Sequence, residues 1–179
     1  MWNVSGIQVE DQFCDLMFNA HALCLVAYFV RKVPLTKRPL GSIYVRHISS
    51  STSDYINLWR APDDGATTAE PPISSPSSPH IFFGVFEKAE PNAWSSNEDW
   101  DWGGLWRADL ATWKVEQIVT PKALNRKFGE RVWISALLSA PSATEVVCKL
   151  ALSSGYVVGT LNVESLAFQT IAVLEHTFF

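Results

Sequence analysis

The chain has 179 residues, with 14 Lys and Arg against 18 Asp and Glu, for a net charge of −4. At 47% hydrophobic and only 18% charged it can fill a core, which excludes global disorder, and its acidic balance excludes a basic nucleic-acid footprint. The length suggests a single domain, and eight tryptophans are many for it.

Met1 to Gly6 shows no basic stretch leading into an apolar one, so no secretion leader is read and a cytoplasmic location is expected. The most apolar run, Ala22 to Val30, would span about 14 Å as a helix, under half of a bilayer core. It reads as a buried strand or core helix, and no membrane partner is expected. Further strands are predicted at Ser42–Ile48 and Asp54–Trp59. Asp63-Asp64-Gly65 is a turn signal, and residues 66–79, rich in Ser and Pro, cannot donate or bury much, so 63–79 is predicted to be a solvated loop.

Beyond that loop, His80–Glu87 is an aromatic and β-branched strand, bounded by Pro79 and Pro91. Gly104–Leu110 and Lys114–Val119 form a hairpin about Ala111 and Thr112. The basic residues Lys122, Arg126, Lys127 and Arg131 then mark a solvated connecting segment. Arg131–Leu138, Glu145–Leu152, Tyr156–Val163 and Ala167–Val173 complete a four-strand meander, with Ser154-Gly155 as a tight turn.

The two later hairpins repeat at an offset of 53, which pairs Asp109 with Asn162, Thr112 with Ser165 and Val115 with Phe168. An Asp or Asn at that place can accept hydrogen bonds from backbone N–H groups two residues on and hold the hairpin. Four-strand units recurring at about 40–50 residues match propeller blades. The fold class expected is therefore all-β, built of about three antiparallel four-stranded blade-like units over residues 13–62, 80–121 and 130–175. It is either a partial propeller or a sandwich-like stack of sheets.

Gly104–Val119, with its strand ending in Asp109-Leu110, short turn, and second strand ending before Thr120-Pro121, resembles the last two strands of a TolB-like β-propeller blade. Tyr156–Val173 resembles it more loosely, with Asn162-Val163 in place of Asp-Leu. The resemblance implies a blade architecture. Since closed propellers use 4 to 8 blades, about three units leave three alternatives: self-association, with a homodimer completing a ring, a chain that is part of a longer protein, or a sheet that is not a propeller.

Five tryptophans, Trp94, Trp100, Trp102, Trp106 and Trp113, fall within twenty residues, together with the acidic run Glu98-Asp99-Trp100-Asp101. If the segment is extended, Trp100 and Trp102 share a face with Glu98, while Asp99 and Asp101 take the other. The indoles either fold onto the sheet or stack on a sugar or peptide, and clustered carboxylates bind Ca²⁺ or sugar hydroxyls, although this run lacks the spaced ligands of an EF-hand. Trp94, Glu98, Asp99, Trp100, Asp101 and Trp102 are the candidate ligand-binding residues.

The function expected is a non-enzymatic binding or assembly module that contacts a protein or glycan through this loop and its sheet faces. The alternative is a carbohydrate-active hydrolase with Glu98 or Asp101 as its acid. No catalytic set is assigned: neither Gly-x-Ser-x-Gly nor a phosphate-binding glycine loop occurs. No metal and no cofactor are expected. His21, His47, His80 and His176 are too scattered for ligand spacing. Cys14, Cys24 and Cys148 are odd in number, which suggests buried free thiols rather than a disulfide framework.

Overall fold

A computed structural model describes residues 11–31, 40–49, 55–61, 66–88 and 100–174. The fold is all-β: among the described residues there are three antiparallel sheets, none closed on itself, and one short helix. The first sheet runs in order β1 (Asp11–Asn19), β2 (Cys24–Arg31), β3 (Leu40–His47), β4 (Ile56–Arg60). The second contains β5 (Thr67–Ala69), β6 (Ile73–Ser74), β7 (His80–Lys88), β8 (Trp100–Asp109) and β9 (Lys114–Val119). Its order is β5-β7-β8-β9, with β6 pairing farther along β7. Helix α1 (Pro121–Phe128) leads to the third sheet, the meander β10 (Trp133–Ser139), β11 (Glu145–Leu152), β12 (Gly155–Asn162) and β13 (Phe168–Leu174). No helix among the described residues is long and apolar enough to cross a membrane.

The second sheet lies between the other two, and β7 shows why its sequence is apolar without interruption. Ile81, Phe83 and Val85 enter a core with Val26, Tyr28, Ile43 and Val45 of the first sheet. Phe82 and Phe86 enter another with Ile134, Val146, Cys148, Leu150 and Leu161 of the third. A strand buried on both faces loses the apolar–polar alternation of a half-exposed one.

Two features depart from the sequence reading. The strand β1 is additional to the predicted ones, because a bulge between Phe13 and Asp15 breaks its alternation. The Ser/Pro-rich tract is not simply a solvated loop, since β5 and β6 pair with β7 inside it and Thr68, Ala69, Ser75 and Ser78 are buried. Its polar groups find partners across the fold. Asn19 Nδ2 donates to Ser74 Oγ (2.9 Å) and to the Ser78 carbonyl (3.1 Å), and Ser77 Oγ donates to the Pro141 carbonyl (2.9 Å). Composition marks such a tract as unable to build a core, but not as unable to join sheets that have one.

Most of the basic segment after β9 forms a helix, with Lys122, Arg126 and Lys127 exposed on it and Arg131 exposed just beyond its end, as expected of a solvated segment. Thr120 accepts from the Ala123 N–H, Pro121 opens the first turn, and Gly129 caps the end in the left-handed region. Leu124 is fully buried and Phe128 packs edge-on against Phe168, so the helix seals the junction of the second and third sheets. Two of the three cysteines, Cys24 and Cys148, are buried free thiols, whereas Cys14 is exposed on β1 and corrects the expectation for that residue.

Candidate functional site

Beside that junction lies a cleft of about 930 Å³. One wall comes from the second sheet: Glu70, Phe86, Glu87, Trp100, Asp101, Trp102, Gly103 and Gln117. The other comes from α1 and the start of the third sheet, including Asn125, Arg131, Trp133 and Ser135. The volume lies at the upper end of ordinary small-molecule sites.

The chain reaches this arrangement through β8. The segment from Trp100 is strand rather than loop, pairing Lys88 with Trp100, Glu87 with Asp101 and Phe86 with Trp102. Alternation then works as predicted: Trp102 is buried and Trp100 packs against the same core, while Asp101 is exposed. Next, β8 carries an extra residue against β7, Gly103, and β9 carries one against β8, Ile118. Gly104 permits this with φ +131°, and a Cβ there would lie 2.4 Å from Gln117 Nε2. The space left lets Gln117 Nε2 donate to the Gly103 carbonyl at 2.7 Å.

Glu87 and Asp101 are direct cross-strand partners, an arrangement of like charges that costs stability. Arg131, reaching over from the third-sheet side, pairs with Asp101 and offsets part of that cost while bridging the two walls. Both members are exposed, so this bridge positions the walls more than it stabilises them. Asn125 Oδ1 accepts from the Val132 N–H at 2.7 Å, and Ser135 Oγ donates to the Lys149 carbonyl at 3.2 Å. Both side chains are thus held in place, with Asn125 Nδ2 and the lone pairs of Ser135 Oγ left for another partner.

Of the six residues singled out in the sequence, Trp100, Asp101 and Trp102 line the cleft together. Trp94, Glu98 and Asp99 lie outside the described residues. Of the other clustered tryptophans that are described, Trp106 packs against the opposite core and Trp113 sits in the β8–β9 turn, so neither is a wall of the cleft. Sequence reasoning missed Glu70, Glu87, Gln117, Asn125, Arg131 and Trp133. They come from five separate segments, and no local spacing connects them. Trp133 at the start of a strand and Arg131 beside it were the only signals available.

Among the described residues no group of three or more His, Cys, Asp or Glu is placed to hold a metal ion. His47 and His80 have local partners instead: His47 Nδ1 lies 2.7 Å from Ser49 Oγ and His80 Nδ1 lies 3.2 Å from Ser78 Oγ. Burial, and then the charge of Arg107, holds the His80 pKa below its ordinary value. Compared with known proteins, the chain matches no family model, and no curated protein matches it in sequence.

Proposed function

We propose that this protein is a non-enzymatic binding module and that the cleft between its second and third sheets is the contact surface. One observation carries the reading: Trp100, Trp102 and Trp133, from two sheets, converge with Glu70, Glu87 and Asp101 on one concave surface. Binding sites combine such aromatic area with a few placed polar groups. The TolB-like blade resemblance belongs to the same reading. Its support is the stacking of three antiparallel sheets in chain order and the recurrence of one hairpin turn in them.

The test is tryptophan emission of the folded chain, screened against glycans and peptides, in the parent and in Trp133→Ala. A ligand that shifts emission and loses affinity in the variant is the expected result. Ligands that bind equally well to both would move the site elsewhere on the molecule. Turnover of a glycan by the parent, abolished in Asp101→Asn, would replace the binding reading with the hydrolase alternative.

A further inference from the structure

The polar groups around the cleft narrow what it takes, an inference that rests on the binding reading above. They come in both senses. Acceptors are the carboxylate of Glu87, which lies over Gly103, the Gln117 Oε1 left over when its Nε2 donates to Gly103, and the lone pairs of Ser135 Oγ. The donor is Asn125 Nδ2, left over when Oδ1 accepts from Val132. Trp102 is only 6% exposed and its Nε1 is buried without an acceptor among the described residues, so this residue gives the cleft apolar lining rather than a donor. Trp106 carries a second such N–H, but it packs in the other core, away from the cleft.

These groups discriminate among ligand chemistries. An anion would face the exposed carboxylate of Glu87, while Arg131, the cation among the described lining residues, is already on Asp101. A cationic amine can donate but not accept, so it would leave Asn125 Nδ2 unanswered. A hydroxyl group does both. A pyranose ring adds an apolar C–H face, which buries well against indole. We infer that the cleft binds a neutral, pyranose-based saccharide.

Calorimetric titration of the full chain tests this, with neutral gluco-, manno- and xylo-configured hexasaccharides, an oligogalacturonide and hexalysine as probes. A neutral hexasaccharide is expected to bind with affinity unchanged by about 0.5 M NaCl, since no net charge is screened. Trp133→Ala is expected to weaken it roughly tenfold, as loss of a stacking anchor does. The exposed-surface variant Glu87→Ala, which leaves the cores untouched, is expected to weaken it severalfold at low and high salt alike. Trp113→Ala, in a turn away from the cleft, is expected to leave it unchanged. Binding of hexalysine alone, lost in salt and in Glu87→Ala, would overturn the saccharide class and keep the cleft as a binding site, as would oligogalacturonide binding lost in Trp133→Ala. No response to any probe would overturn both the class and the binding reading.

Discussion

Trp113 and Leu166 occupy the same left-handed position of the same hairpin turn, at φ 60° and 55°, one after β8 and one after β12. Four residues before each stands the acceptor that organises the turn. Asp109 Oδ1 takes the Ala111 N–H at 2.8 Å and Asn162 Oδ1 takes the Glu164 N–H at 3.2 Å; Thr112 and Ser165 hydroxyls close on the same side chains. The first sheet repeats the device between β1 and β2, where Asn19 accepts from the Ala22 N–H and Leu23 sits at φ 51°. These three are the only non-glycine residues with positive φ among the described residues.

A bulky L-residue in the left-handed region costs about 1–2 kcal/mol, and Asn tolerates it better. Leu23 is 51% exposed, so its side chain has little packing to lose. Leu23→Asn is therefore expected to raise stability by up to about 1 kcal/mol. Urea denaturation at constant slope measures it, and a loss of stability would mean that the leucine side chain matters more than the backbone conformation.

The acceptors should rank by burial. Asn162→Ala removes a half-exposed cap and is expected to cost about 0.5–1.5 kcal/mol. Asn19 is fully buried and also donates to Ser74 and the Ser78 carbonyl, so Asn19→Ala strands several groups at once. It is expected to cost more, about 1–3 kcal/mol. Equal costs in thermal or urea unfolding would show that the tie to the Ser/Pro tract adds nothing.

Acid stability should depend on Glu116. Hydrogen bonds from Lys114 and then Arg107 pull its pKa down to about 2, with contacts of 2.6 and 2.7 Å. A carboxylate whose folded pKa is depressed contributes stability that is complete above its unfolded pKa of about 4.3 and is lost as pH falls through the folded value. The gap in unfolding midpoint between parent and Glu116→Gln should accordingly be largest above about pH 5 and shrink toward pH 2. Asp109 adds in the same direction: burial raises its pKa, but the hydrogen bonds from Ala111 and Thr112 outweigh this and hold it low. His80, held neutral in the fold, removes stability as pH falls below about 6.5.

The thiols should separate cleanly. Burial pushes Cys148 up to about 12 and raises Cys24, while Cys14 is exposed. Since the thiolate is the reacting species, a brief alkylation of the native protein at pH 8 is expected to label Cys14 alone, and denatured protein all three. Mass spectrometry of the labelled peptides reads the result, and early label on Cys148 would mean that the core between the second and third sheets opens readily.

Self-association is expected through the outer face of the first sheet. Phe13, Leu16 and Phe18 are 53%, 48% and 49% exposed, next to half-buried Leu25 and Phe29. Light scattering of the chain should give a mass above that of one copy, and Phe13→Ser with Leu16→Ser should reduce it. A strict monomer at working concentration would rule out the proposed pairing of two chains into a ring.

What the sequence determined by itself was local. Alternation and turn chemistry placed the strands from His80 onward, and the offset of 53 located two copies of one turn down to the hydroxyl that closes it. Such features depend on residues within a few positions of each other, so spacing suffices to find them. The joining of the sheets was decided by tertiary structure. The pairing of β5 and β6 with β7, the burial of Asn19 among serines 55 to 59 residues away, and the meeting of Trp100 and Trp102 with Trp133, Gln117 and Arg131 all depend on contacts between distant segments. Stacking the sheets satisfies their apolar faces, and the cleft is the space that this packing leaves between the second and third.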